Sequence, residues 1–151
     1  MPDRDLTDCF RLFTEIGIIE QLSRNLFEAR LPRGFLLPHF SVLNHLVRVA
    51  DGRTPLALAR AFQVPKTTMS HTLLVLERAG LVETRPNPDD GRSKRVWITD
   101  AGRSFRESAI AAVGPDLARV ADAFAPDRIA GALPLLEELR RFLDTDRDGD
   151  R

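Results

Sequence analysis

From Thr54 to Thr99 the chain is punctuated so closely that each element has little freedom in length or type. Thr54-Pro55 is a helix start: a Thr at the N-cap, then a Pro whose fixed φ and missing N–H suit the first helical position. The helix that follows, Leu56 to Phe62, is short, and Gln63-Val64-Pro65 leaves room only for a tight connection. A second helix runs from about Lys66 to Ala79, with Met69, Leu73 and Leu76 inward, and Gly80 ends it in the C′ position. Residues 81–85 and 95–99 are β-branched and alternating, so they are expected as strands. The polar loop between them holds an Asp90-Gly91 turn signal, which makes the pair a hairpin.

A short helix, a tight turn, a second helix and a hairpin, in that order, are a winged helix-turn-helix. The flanks are helical. Cys9, Phe13, Ile16, Ile19, Leu22 and Leu26 form one apolar stripe on a helix over residues 6–30, started by Asp5 or Thr7 and ended by the Pro32-Arg33-Gly34 run. Phe10, Leu12, Ile18 and Phe27 lie beside or off that stripe. A helix apolar over so much of its circumference needs more partner surface than a small core supplies, which points to a second subunit. A helix over 38–50 is stopped by Asp51-Gly52, and a short strand is possible before Thr54. After the hairpin, Thr99 or Asp100 caps a fifth helix to about Phe124, with a kink expected at Pro115. A sixth opens at Pro126 and runs to about Leu143, with the apolar-free residues 146–151 as a frayed tail. The fold class is therefore mainly α with a small β-hairpin wing.

The total charge opposes nucleic-acid binding, because 22 basic residues face 22 acidic ones in 151 positions. The distribution reverses that. Residues 1–52 carry net −1, residues 53–97 net +4 and residues 98–151 net −3. The chain's only two lysines, Lys66 and Lys94, both lie in the basic middle segment. A local basic patch matters more for phosphate binding than the total.

The chemistry of that segment fits double-stranded DNA. The second helix of such a unit enters the major groove, where early outward residues reach base edges. Here those residues are Lys66, Thr67, Thr68, Ser70, His71 and Thr72, short hydrogen-bonders with one cation and one imidazole, and none is acidic. Arg92 follows the Asp90-Gly91 turn, with Ser93 and Lys94 next to it. An Arg at the tip of a β-ribbon suits a narrow, electronegative minor groove. Asp89 and Asp90 are acidic at the same loop, where a carboxylate can take loop amides or pair with an Arg and so hold the loop in shape.

Residues 41–99 resemble the MarR family of bacterial transcriptional regulators. The resemblance is carried by Leu58-Ala-Arg-Ala-Phe62, by the run from Thr67 to Val82 ending Leu-Glu-Arg-Ala-Gly-Leu-Val, and by the wing segment Asp90-Gly-Arg-Ser-Lys94. It implies a homodimer in which residues 1–37 and 100–145 supply the dimerisation helices and residues 38–99 the DNA-binding lobe. It also implies a pseudo-palindromic operator, commonly repressed, and release by a small phenolic or lipophilic effector or by cysteine oxidation. Carried over, Arg92 is the minor-groove residue and Asp90 its support. Thr67, Thr68, Ser70 and His71 face the major groove, and Thr54, Lys66, Thr72, Ser93 and Lys94 complete the DNA-binding set. Phe13, His39, Phe40 and Leu43 are the candidates for an effector pocket between the first, second and fifth helices. Two positions depart from the family pattern. Pro65 stands where Ser or Asp commonly caps the recognition helix and is expected at its first helical position, and His71 stands where Arg is common.

Other readings are weaker. Cys9 precedes Phe10 as in a peroxide-sensing branch of the family, but that branch activates its thiol with tyrosines and this chain has none. A buried, inert Cys9 is the simpler reading, with redox sensing as the alternative. His39 and His45 are six apart, so they diverge by roughly 240° around a helix and form no metal pair. No Gly-rich phosphate loop or nucleophile elbow points to catalysis, and no cofactor is expected. A winged helix used as a protein-interaction module would need acidic or apolar recognition residues and no wing Arg. The charged N-terminus leads into no apolar stretch, which argues against a secretory signal. One cysteine and no long apolar run fit a cytoplasmic protein off the membrane.

Overall fold

The computed structural model describes residues 3–149, with side chains through Asp146. Eight elements follow in order: α1 (Arg4–Glu28), α2 (Leu37–Arg48), α3 (Pro55–Phe62), α4 (Lys66–Arg78), β1 (Val82–Pro86), β2 (Lys94–Ile98), α5 (Asp100–Ala123) and α6 (Pro126–Gly149). Types and order match the sequence reading, and the boundaries move by a few residues. The cap of α1 is Asp3, whose carboxylate accepts from the Asp5 amide, rather than Asp5 or Thr7. The sixth helix continues past Leu143 to Gly149, and the (i, i+4) pair Arg140–Asp144 spans Leu143. Of the tail expected over 146–151, Asp150 and Arg151 lie outside the described residues.

The chain divides into two compact units, Met1–Val113 and Gly114–Arg151. The division falls inside α5 at Gly114-Pro115, where Pro offers no N–H to the helix ladder. The first turns of α5 belong with α4 and the hairpin because Thr99 joins them. Its hydroxyl donates to the Gly80 carbonyl at 2.7 Å and accepts from the Gly102 amide at 3.0 Å, which makes Thr99, not Asp100, the capping side chain. Gly102 passes against the Leu81 carbonyl so closely that a Cβ would collide with it.

In the first unit, α2, α3, α4 and the hairpin enclose one core. Val42, Leu43, Leu46, Leu58, Leu76, Leu81, Val82, Val96 and Ile98 are buried within it. Thr54 starts α3 as expected, its hydroxyl accepting from the Ala57 amide at 3.1 Å. Gln63 closes α3 in the left-handed region, φ 54°, and the Val64 amide donates back to the Ala59 carbonyl. Gly80 ends α4 at φ +74°, a conformation that favours glycine. The strands pair antiparallel in the register Val82↔Ile98, Thr84↔Val96 and Pro86↔Lys94, one residue from the sequence estimate at each end. Val82, Val96 and Ile98 face the core. The third strand position before Thr54 is a single bridge, Arg53↔Val96. The helix α2 ends at Arg48, so Asp51 and Gly52 belong to the loop that carries this bridge.

Candidate nucleic-acid interface

The geometry of α4 follows from its apolar stripe. Met69, Leu73 and Leu76 turn inward, so residues three and four away are carried with them or against them. Lys66, Thr67, Thr68, Ser70 and His71 are exposed. Thr72 is not: it is 7% exposed, and its hydroxyl donates to the Thr68 carbonyl at 3.1 Å. It lies between Met69 and Leu76 on the buried stripe, so its assignment to the outward face is corrected. A Ser or Thr hydroxyl can satisfy itself on the i−4 carbonyl, which lets a polar residue enter an apolar face. Pro65 is the N-cap of α4 rather than its first residue, and it makes no side-chain capping hydrogen bond. Thr54 is half-buried, with its hydroxyl used at the start of α3.

The wing loop is stiffened from within. Asn87 Oδ1 accepts from the Asp89 amide at 3.0 Å, and its Nδ2 donates to Ser93 Oγ at 2.9 Å. Asp90 Oδ1 accepts from the Arg92 amide at 2.9 Å, and Arg95 donates to Asp89 Oδ2 at 2.6 Å. Both acidic residues therefore shape the loop, one through an amide and one through an ion pair. Ser93 is half-buried and turned into the loop. Arg92 and Lys94 are exposed, and among the described residues neither takes part in an ion pair. Arg85 and Arg95 stand directly opposite in the ribbon, a repulsive pairing offset by Glu83 beside Arg85 and Asp89 beside Arg95.

The effector candidates lie on α1 and α2. Phe13 is exposed on α1, whereas His39, Phe40 and Leu43 are buried along α2. Phe40 meets Phe27 at 5.6 Å, and Phe35 lies against His39 and Phe105, so these rings already pack on one another. A cleft of about 170 Å³ opens instead on another face of α2. It is walled by Pro38, Val42, Phe62, Val64 and Met69, and contains none of the four candidates. Burial lowers the His39 pKa, and the Leu36 amide donates to its Nδ1 at 2.8 Å, which places the neutral ring's proton on Nε2. Burial, then the neighbouring Arg53, lower that of His45. Cys9 is exposed in α1, not buried. Among the described residues no group of His, Cys, Asp and Glu could hold a metal, and no helix is long and apolar enough to cross a membrane.

Asn87 and Asp51 were not foreseen. Asn87 sits ahead of a Pro in the loop, a position where Asx turns form, so a local signal existed. Asp51 accepts from the Ile98 amide, 47 residues away, and nothing near it in sequence marks that role.

Residues 33–93 match the sequence profile of the MarR family. Solved structures agree. A MarR family transcription regulator is similar at 25% identity, over 97% of this chain and 99% of that one, with a TM-score of 0.73. A cysteine-to-serine mutant of MarR from E. coli, complexed with operator DNA, is similar at 28% identity, over 87% and 95%, with a TM-score of 0.74. The PcaV transcriptional regulator from Streptomyces coelicolor, in complex with its natural ligand, shares the fold at 20% identity, over 83% and 89%, with a TM-score of 0.69. The sequence match thus covers the helix-turn-helix and most of the wing, and the fold of solved MarR-family regulators is shared along nearly the whole length of the chain.

Proposed function

We propose that the protein is a homodimeric, sequence-specific DNA-binding regulator. It reads a near-palindromic operator with two α4 helices in successive major grooves about one helical turn apart. One observation carries the reading. The exposed face of α4, with Lys66, Thr67, Thr68, Ser70 and His71, contains no acid, and it shares a unit with a stiffened wing whose Arg92 and Lys94 are unpaired. Two cations at a ribbon tip that take part in no ion pair among the described residues are placed for phosphate or a minor groove. The E. coli relative solved with operator DNA supports this class of partner.

Homodimerisation is supported by α1, none of whose residues is buried within the chain. We assign residues 1–37 and 100–145 to the subunit interface. Repression relieved by a small phenolic or lipophilic ligand is the regulatory mode we favour, in line with a PcaV structure that holds its natural ligand. The test is Arg92→Ala, measured by fluorescence anisotropy on a duplex selected from a random-sequence pool. Affinity is expected to fall about ten- to a hundredfold, with the sedimentation coefficient unchanged. Equal affinity of the variant and the parent removes the wing from the interface.

A further inference from the structure

The ribbon of β1 and β2 has two edges. One edge of β2 is paired to β1, and the other would be bare without residues 51–53. The Val96 amide donates to the Arg53 carbonyl at 2.8 Å. Two residues on, along the same edge, the Ile98 amide donates to Asp51 Oδ1 at 3.0 Å. That oxygen also accepts from the Gly52 amide at 3.0 Å, while Oδ2 faces Arg103 of α5 at 3.6 Å. Between the two pins Gly52 lies under Trp97, with φ +66°, and a Cβ there would come within 2.5 Å of the ring. Arg85 covers Trp97 from the ribbon, 5.2 Å from the ring centroid.

We infer that Asp51 is a positioning residue for the wing. One half-buried carboxylate joins the loop after α2, the root of β2 and the first turn of α5, at the place where the ribbon leaves the core. A carboxylate suits that place because a single side chain must offer one oxygen to two amides and the other to a guanidinium. Asp51 touches no DNA. It sets the direction of the ribbon, and through it the position of Arg92 and Lys94. The inference rests on the reading of those two residues as DNA contacts.

A double-mutant cycle tests it, using Asp51→Ala, Arg92→Ala and their combination in the full chain. Duplex affinity, its salt dependence and the emission of Trp97, the only tryptophan, are measured together. Asp51→Ala is expected to lower affinity about tenfold, to flatten the salt dependence and to shift Trp97 emission. Arg92→Ala should then cost less in the Asp51→Ala background than in the parent, because the wing is already displaced. Independent effects with an unchanged salt dependence would make Asp51 a residue of stability alone and overturn the inference. Should Asp51→Ala fail to fold, Asp51→Asn enters the same cycle under the same criterion, since it keeps one acceptor oxygen and gives up the charge facing Arg103. A parent protein that binds no duplex overturns the regulator reading, and the inference with it. A parent that binds while the two substitutions act independently overturns the inference alone.

Discussion

Leu43, Leu46, Leu58 and Leu76 of the lobe formed by α2–α4 and the hairpin are sealed from solvent. In α1 no residue is buried, and Phe10 and Leu22 are 74% and 62% exposed. Both regions are rich in apolar side chains, and only the lobe encloses them with its own chain. Apolar surface left in water forgoes about 25 cal/mol per Å², so a long helix that exposes Leu6, Phe10, Phe13, Ile18, Ile19 and Leu22 is built to be covered. The helix α6, taken by itself, also exposes Leu133, Leu135, Leu136 and Phe142. The lobe is closed by its own chain, and α1 is the element that the proposed dimer would complete.

The largest expected effect separates the two regions by stability. Leu76→Ala should cost about 2–5 kcal/mol in urea unfolding, because the lobe cannot collapse around the lost volume. An equal cost for Leu22→Ala in a monomeric preparation would erase the contrast. Next in size is the effect on assembly. Phe10→Asp with Leu22→Asp should convert a dimer to a monomer in sedimentation experiments while Trp97 emission, which reports on the lobe, stays as in the parent. A dimer that survives both substitutions would free α1 from the interface.

The smallest effect concerns acid. His39 and His45, both on α2, have pKa values lowered from 6.5, chiefly by burial. The unfolded chain then binds protons near pH 6.5 that the folded lobe refuses, so their contribution is complete above that pH and is lost progressively below it. Urea midpoints should fall between pH 7.5 and 5.5, and His45→Gln should lessen the fall. A midpoint that rises on acidification would contradict the assignment of both rings as neutral in the fold.

Much of the lobe could be read along the chain because its signals are local. Thr54-Pro55, Gly80 and the Asp90-Gly91 turn each act on neighbouring residues, and each stands where its chemistry placed it. Thr72 was misplaced although its spacing from Met69 and Leu76 puts it on the inward stripe. Polarity outweighed period there, and the hydroxyl's bond to the Thr68 carbonyl is what makes burial tolerable. The end of α6 was missed because residues 144–149 have no apolar period, and the helix nevertheless runs on to Gly149. Asp51 was beyond reach of any local rule, since its ties to Ile98 and Arg103 exist only once the hairpin has folded back. The rings near the pocket candidates were equally hard to read. Aromatic residues are equally good material for a core and for a cavity, and here Phe40 packs on Phe27 and Phe35 on Phe105.

The most direct test of the reading head is the affinity of the parent protein for a selected duplex as salt is raised from 50 to 200 mM. With several phosphates neutralised per dimer by residues such as Lys66, Arg92 and Lys94, affinity should fall by about three orders of magnitude or more. Affinity that stays flat across that range, or no duplex binding at the lower salt, would contradict the assignment of α4 and the wing as a DNA-reading surface.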